Sequence, residues 1–316
     1  MLRRPMLLML AALAVVAIGA TPVRAAAVFP PAIRIGLEPP PGMTVSTHFA
    51  GFEDAGGKTT IKILDLPLSM YDQLEKTLFA ETSAGAGVTV DKRESFPFQD
   101  GIGFLITFHV VKDGTTTRKW VMLASSMSPA VPNLTTLIEV EVPQAAAATY
   151  TDAVVRAALA SVTFRPPPID EQMKMLPFKL DALAGFRVMQ VMPNGVAILT
   201  DGPTNDLTRQ PYMIVAVGAS APVEPGDREN FSRRLLASAP LRDLRVTSSE
   251  AMRINNLPGY EIRAQAVGVR NDPLTLVQWV RFGSGGFLRV IGVSAKSDWD
   301  KLFPRFREVR DGIGQR

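Results

Sequence analysis

Few residues in this chain have the types and spacing that catalysis or metal binding requires. His48 and His109 are its two histidines, and neither belongs to a His-x-His or His-Glu-x-x-His pattern. Ser220 lies in Gly218-Ala-Ser-Ala-Pro222, which ends in proline where a nucleophile elbow has glycine, and a loop follows where the elbow needs a helix. We therefore place both histidines in strands of the first half as ordinary surface or core residues, and predict no metal site.

Glycine-rich and acidic pairs are the remaining chemical candidates. Gly85-x-Gly87 and Gly283-Ser-Gly-Gly286 lack the Lys-Ser/Thr pair and the helix that follow a phosphate-binding loop, so both indicate hairpin turns. Glu139 and Glu141 could act as an acid/base pair, but their spacing puts them on one strand face, which we expect to be solvated. The sequence predicts no enzyme and no cofactor.

The chain contains no cysteine. Structural disulfides, thiolate catalysis, cysteine-based zinc sites and a lipoprotein anchor are therefore excluded. An exported protein without disulfides must be stabilised by packing, and 316 residues are enough for two domains of ordinary size.

Residues 1–27 have the pattern of a signal peptide. Arg3 and Arg4 form a basic start, an uncharged apolar run extends from Met6 to Ala20, and Val23-Arg24-Ala25 supplies small residues for cleavage. The run is shorter than the ~20 residues that a membrane-spanning helix needs. We expect an exported, periplasmic protein with no transmembrane segment after cleavage.

The charge of the chain argues against a nucleic-acid partner. Its formal net charge of +4 includes the three arginines of the signal segment, so the mature chain has a net charge of +1. The halves differ, because residues 28–165 carry a net charge of −3 and residues 166–316 carry +4. This difference reflects either drift after duplication or an attraction between the halves or toward an acidic surface.

Five features recur in the same order in both halves. They are a Leu-to-Gly opening, a first helix, a Gly-aromatic turn (Gly103-Phe104 and Gly259-Tyr260), a Trp-Val pair and a capped last helix. The Trp-Val pairs are Trp120-Val121 and Trp279-Val280. We interpret the chain as one unit made twice.

The apolar periodicity predicts the elements of that unit. Alternating strands, two helices and a four-strand meander give an α+β fold, with two tandem copies of an antiparallel sheet flanked by helices, β-β-α-β-β-β-β-α each. The predicted helix caps include Ser69, Asp227, Thr149 and Ser297. Pro304 predicts a kink or a late start in the last helix.

The predicted domains are 28–165 and 178–316. Residues 166–177 join them as a linker that begins Pro166-Pro-Pro168 and favours an extended, semi-rigid connector.

This order of elements, with a glycine-turn opening and a Gly-aromatic strand entry, resembles the PsbP-like fold, and above all its bacterial exported members such as the DcrB-like proteins and domains of unknown function. The resemblance covers both halves. It implies an antiparallel sheet packed by helices and a partner-binding or assembly role, and it supplies no catalytic residue. The fusion of two copies departs from the family pattern.

Arginine is concentrated in the meander of the second half, and these residues form the candidate partner-binding face: Arg245, Arg253, Arg263, Arg281 and Arg289. The alternative is that they belong to an ordinary solvated face. The sequence thus favours an exported, non-enzymatic binding or assembly protein of the cell envelope that binds an envelope protein or component through the sheet face or the cleft between the domains. The other hypothesis is a carrier of a small apolar ligand, held between sheet and helix or between the domains. The partner's identity and the oligomeric state stay open.

Overall fold

A computed structural model describes residues 26–79 and 87–316 of the chain. The predicted signal peptide therefore lies almost wholly outside the described residues, as does Gly85.

The first half contains one large antiparallel sheet and two helices, one within the sequence of the sheet strands and one after them. Its elements are β1 (Ile35–Gly36), β2 (Met43–Val45), β3 (Gly51–Asp54), β4 (Thr60–Leu66), α1 (Tyr71–Phe79), β5 (Val88–Phe98), β6 (Gly101–Lys112), β7 (Thr115–Ser125), β8 (Thr135–Pro143), α2 (Asp152–Ala160) and β9 (Thr163–Phe164). Seven strands pair in the order β2-β3-β4-β8-β7-β6-β5, and β1 pairs separately with β9.

The second half repeats this arrangement. Its elements are α3 (Ile169–Met175), β10 (Phe178–Leu180), β11 (Arg187–Met192), β12 (Val196–Thr200), β13 (Tyr212–Gly218), α4 (Arg228–Ala237), β14 (Arg242–Ile254), β15 (Leu257–Val267), β16 (Pro273–Phe282), β17 (Phe287–Ala295), α5 (Trp299–Asp311) and β18 (Ile313–Gln315). The seven-strand order is β11-β12-β13-β17-β16-β15-β14, and β10 pairs separately with β18.

The two sheets have the same strand order, which confirms the predicted α+β fold of two tandem units. One detail differs from the prediction: three strands of the seven-strand sheet, not two, precede the first helix of each unit, and the short strand β1 or β10 precedes these. The additional strand is the edge strand β2 or β11, which pairs with the strand that follows it. Both edge strands are short and lie between turns. The alternation of apolar residues in the sequence therefore did not distinguish them from the neighbouring strands.

The tryptophans mark equivalent positions in the two sheets. Trp120 is paired with Val140 on β8, and Trp279 with Val290 on β17. On the other side, Trp120 faces Thr107, whereas Trp279 faces Glu261. The Gly-aromatic alignment would match Thr107 with Arg263, so the β6–β7 register is shifted by two residues between the halves. A shift of two residues keeps every side chain on its own face.

Each sheet buries one face under its last helix. Val155, Ala158, Leu159 and Val162 are buried in the first half, as are Leu302, Phe306 and Val309 in the second, which confirms the predicted inward stripes. Trp120 and Trp279 lie in these two cores. The opposite face of the second sheet carries a smaller cluster centred on Leu236 of α4, with Ile262, Leu276, Ile291 and Val293 among its members.

The last helices begin later than their predicted caps. Helix α2 begins after Thr151, whose side chain accepts a hydrogen bond from the Val154 amide, so Thr149 is not its cap. The Asp152 carboxylate instead accepts a hydrogen bond from Trp120 Nε1 at 2.9 Å. Helix α5 begins at Trp299 and contains Pro304 in its interior.

Glycine opens both units at a bend. Gly42 has φ of +84° and Gly185 has φ of +82°, conformations that are strained for residues with a Cβ atom. The predicted need for glycine at the opening bend is confirmed.

The segment between the sheets is only partly extended. Residues 169–175 form helix α3, where the prolines had predicted an extended connector. Glu171 of this helix accepts hydrogen bonds from the Arg165 side chain and from the Ala32 amide. These two contacts hold α3 beside the segments that contain Ala32 and Arg165. The domain boundaries themselves stay a prediction.

Replacement of Phe306 by alanine should strongly destabilise the protein. Phe306 is fully buried and stacks against Phe186 at 5.5 Å, so Phe306→Ala leaves a cavity in the second core. We expect a loss of about 3–5 kcal/mol in the free energy of unfolding, measured by urea denaturation with tryptophan fluorescence. Val223→Ala, at a position that is 87% exposed, is the control and should change it by less than about 0.5 kcal/mol. Equal losses in the two variants would contradict this assignment of the core.

Candidate functional site

The five predicted arginines do not share one open face of the second sheet. Strand alternation and contacts place Arg245, Arg263 and Arg281 on the side of α5, and Arg253 and Arg289 on the side of α4. Arg263 donates to Glu261 Oε1 at 2.7 Å, and its guanidinium lies 4.4 Å from the centre of the Phe303 ring. Arg245 and Arg253 are exposed on the edge strand β14. A binding role for the five as a group stays a prediction, but they do not form one surface.

Arg281 is buried at the end of the second sheet. It is 8% exposed, and its Nη1 donates to the Ile313 carbonyl at 3.2 Å. Burial lowers the pKa of its guanidinium. It lines a cavity of about 230 Å³ beside β18, together with glycines such as Gly218 and Gly286.

A larger pocket opens on the α4 side of the same sheet. Its volume is about 530 Å³, within the range of small-molecule sites. Strands β13, β16 and β17 provide an apolar floor: Tyr212, Ile214, Ala216, Leu274, Ile291 and Val293. Three loop segments, 207–211, 238–241 and 268–272, form the walls. We call this cavity the α4-side pocket.

Arg289 lies at the end of this pocket that is nearest α4. Its Nε donates to Gln278 Oε1 at 2.8 Å, and its Nη2 donates to the carbonyl of Leu235 in the last turn of α4. Gln278 is fully buried and donates in turn to the Ser232 carbonyl at 2.8 Å. These bonds fix the guanidinium, and the negative end of the α4 dipole favours its charge.

Within the described residues, Arg289 has no ion-pair partner, and its Nη1 has no hydrogen-bond acceptor. Burial lowers the pKa of Arg289 to about 10, which still leaves it protonated at neutral pH. A partly buried cation without a counter-ion costs free energy unless an anion reaches it.

The equivalent positions of the first half carry the counter-charges that Arg289 lacks. With Trp120 matched to Trp279, strand pairing matches Arg289 with Glu139, Gln278 with Lys119, and Ile291 with Glu141. Lys119 Nζ lies 2.9 Å from Glu139 Oε1 and also pairs with Glu141. The same sheet face therefore has a closed set of ion pairs in one half and a single cation beside apolar residues in the other.

The titration of the first-half pairs follows from these contacts. Burial, the largest influence, opposes ionisation of both Glu141 and Lys119, but the mutual hydrogen bonds and charges outweigh it. The pKa of Glu141 is therefore lowered and that of Lys119 is raised. Both groups are charged at neutral pH and neutralise each other.

The other candidates from the sequence remain apart from the pocket. His109 lies in β6 and contacts Asp91 at 2.9 Å, whereas His48 lies in the loop between β2 and β3, where a strand was predicted. Ser220 is exposed beyond the end of β13, and residues 283–286 form the β16–β17 turn as predicted. No group of His, Asp and Glu in residues 26–79 and 87–316 is arranged to hold a metal ion.

Sequence reasoning missed the pocket, although a signal for it was present. Strand β13 reads Tyr-Met-Ile-Val-Ala-Val-Gly, which is apolar on both faces, as is most of β17 apart from Arg289. An antiparallel strand with one solvated face should alternate, so a continuous apolar run indicates that both faces are covered.

No family model matches the chain, and no curated protein matches it. Three of the solved structures that it is similar to are LpqN, cyanobacterial PsbP and the immunity protein TplEi. LpqN of Mycobacterium tuberculosis, described as involved in cell envelope biogenesis, has 10% identity and a TM-score of 0.36, with 43% of this chain and 82% of LpqN covered. The solution structure of PsbP from Synechocystis sp. PCC 6803 has 15% identity and a TM-score of 0.30, covering 44% and 91%.

The third structure spans both halves. The apo immunity protein TplEi of the type VI secretion system of Pseudomonas aeruginosa has 13% identity and a TM-score of 0.29, covering 92% of this chain and 96% of that one. Proteins of the PsbP-like kind are thus among the structural neighbours, as the sequence resemblance implied. In the part of the chain that the structure describes, no helix has the length and apolar character to span a membrane.

The ion pairs of Glu141 should make the protein sensitive to acid. Because its pKa in the fold is lowered from 4.5, its contribution to stability is present above pH 4.5 and is lost as the pH falls through the folded value. Glu141→Gln should therefore reduce the free energy of unfolding by about 1 kcal/mol at pH 7, and the difference from wild type should shrink toward pH 3.

Urea denaturation at several pH values measures this difference. Glu224→Gln, at an exposed position, is the matched control and should follow the wild-type curve. A Glu141→Gln difference that stays constant across this pH range would show that charge pairing is not its source.

Proposed function

We propose that this protein is an exported, non-enzymatic binding protein of the cell envelope that holds an apolar ligand in the α4-side pocket. The observation that carries the proposal is an apolar cavity of about 530 Å³ that the fold leaves unfilled between the sheet, the end of α4 and three loops. Interiors normally pack with few voids larger than a water molecule, so a cavity of this size with an opening is a typical binding site.

The composition of the lining supports binding rather than catalysis. The described residues that form it include arginine and aspartate but no histidine, lysine, glutamate or cysteine. Residues that line the floor are Ile, Leu, Val, Ala and Tyr, which provide dispersion contacts and exclude water. Such a surface retains an apolar molecule, and the hydroxyls among the described lining residues have no histidine or lysine in that lining to act as a base.

Export and an envelope location are supported by the sequence pattern of residues 1–27, with its basic start, apolar run and small residues. A protein that shields an apolar molecule from water is useful in an aqueous compartment such as the periplasm. The carrier hypothesis from the sequence is therefore the one that the pocket favours.

A neutral fluorescent probe tests the proposal. The purified mature chain should bind 1-aminoanthracene saturably, with a rise in emission as the probe leaves water. Ile214→Trp places a large ring on the pocket floor and should weaken binding at least about tenfold, since it occupies the volume that the probe needs.

Val223→Trp adds the same ring at a site that is 87% exposed, and it should bind the probe as wild type does. Circular dichroism verifies that both variants are folded. Absence of saturable binding to wild type, or equal binding to wild type and Ile214→Trp, would refute the proposal.

A protein partner of the envelope is the second candidate, and the observation that favours it is the edge strand β14. This strand of 13 residues is exposed along much of its length and carries Arg245 and Arg253, both exposed. Exposed arginines on an edge could meet an acidic partner, and they would also protect the edge against aggregation.

Affinity purification from the envelope fraction distinguishes these roles. If β14 binds a partner, Arg245→Glu/Arg253→Glu should lose a protein that wild type retains, because two attractive charges become repulsive. An Arg209→Glu/Arg270→Glu variant makes the same change in charge at the rim of the pocket and is the control. Identical recovery of every protein by wild type and both variants would remove the partner role of β14.

A further inference from the structure

We infer that the ligand of the α4-side pocket is a single-chain aliphatic carboxylate, with its carboxylate at Arg289 and its chain along β17. This inference rests on the proposed function, since it names the chemical class that the same pocket takes. It is based on three features of the pocket. The Arg289 guanidinium is held in place and has N–H groups without acceptors, the lining has a formal charge of +1, and the apolar floor is elongated.

The donors of Arg289 define the head group. Nε and Nη2 each donate to a protein acceptor, which leaves both N–H bonds of Nη1 and one of Nη2. Neighbouring N–H bonds on one planar guanidinium match the two oxygens of a carboxylate. Because Gln278 and Leu235 already fix the group, a ligand would not have to order it on binding.

The net charge of the lining favours a monoanion. Three arginines (Arg209, Arg270 and Arg289) and two aspartates (Asp272 and Asp298) line the pocket, a formal charge of +1, and Arg209 is itself paired with Asp206 at 3.1 Å. A phosphate monoester carries about −1.5 to −2 at neutral pH and would need more positive charge than this lining supplies.

The shape of the floor favours a long, unbranched chain. Lining residues follow β17 from Arg289 through Ile291 and Val293 to Ala295, which spans roughly 20 Å at about 3.3 Å per residue. Tyr212 and Ile214 of β13 lie beside this line, because they pair with Val293 and Ile291. The polar group is at one end of the floor and apolar residues follow, which is the order of an aliphatic acid.

The first half contains an internal comparison. At its equivalent positions Lys119 pairs with Glu139 and Glu141, and Lys62 pairs with Glu141, so two charges of each sign cancel and none is left for a ligand. The inference therefore predicts one site per chain, in the second half only.

The test compares ligands that differ only in their head group. Dodecanoate, 1-dodecanol and methyl dodecanoate should each displace 1-aminoanthracene from the mature chain, at concentrations below those at which they form micelles. Dodecanoate should do so at a concentration at least about tenfold lower than the two neutral ligands, as a hydrogen bond to a charged group implies. This comparison leaves the protein unchanged, so it does not depend on the folding of a variant.

Variants then locate the effect. In Arg289→Met, dodecanoate and 1-dodecanol should displace the probe at similar concentrations. The affinity for the probe itself should stay within about threefold of wild type. Arg289→Lys should retain part of the preference, since it keeps the charge but loses the planar pair of donors. Arg307→Met removes the same charge at an exposed position of α5, outside the pocket, and should preserve the preference.

The possible results separate the two proposals. If the probe binds, and the acid, the alcohol and the ester displace it at equal concentrations, the carboxylate inference is refuted and the proposed function stands. A preference for dodecanoate that persists in a folded Arg289→Met variant would overturn the role of Arg289. If the neutral probe does not bind saturably to wild type, both proposals fall. Binding of two molecules of dodecanoate per chain with equal affinity would contradict the single site.

Discussion

Each unit of this protein contains a seven-strand sheet with two faces, and its last helix, α2 or α5, can bury only one of them. The last helix covers the face that carries Trp120 or Trp279, and the residues of that interface form the main core. The other face must be polar or be covered in another way, because a sheet with an uncovered apolar face exposes a large apolar patch. The two halves differ in the residues that this second face carries.

In the first half, the second face combines buried apolar residues such as Ile106, Val121 and Leu123 with a set of charges that neutralise one another. Lys62, Lys119, Glu139 and Glu141 lie on adjacent strands and form ion pairs across them. In the second half, the equivalent positions are Ala216, Gln278, Arg289 and Ile291, and they combine an apolar floor with one cation. The two units differ on the face that does not form the main core, so one has a neutral set of charges there and the other has a cavity.

Much of the fold could be predicted from the sequence, and the site could not. The inward stripes of α2 and α5 follow from helical periodicity, and the bends at Gly42 and Gly185 follow from the conformation that glycine permits. These are local properties of short segments. The edge strands β2 and β11 were not separated from their neighbours, because a strand of three to six residues between turns has too little pattern to distinguish it.

The site depends on pairing between distant segments, which a single sequence does not specify. Arg289 was named, but it was grouped with Arg263 and Arg281, which lie on the other side of the sheet. Its partners Gln278 and Leu235 are 11 and 54 residues away, and only the register of β16 with β17 and the position of α4 bring them together. The cavity also requires loops from three parts of the chain to surround the same patch of sheet.

The short strand pairs at the ends of each unit have a consequence for how this chain could be rearranged. Gly36 pairs with Thr163 in the first unit, and Leu180 pairs with Ile313 in the second, so each unit finishes beside the place where it started. A segment with adjacent termini can be joined to another, inserted into a host or reopened at a surface turn without stretching its interior. Such a closed path explains how a second copy could be appended through a few residues, and it makes either unit a natural candidate for circular permutation.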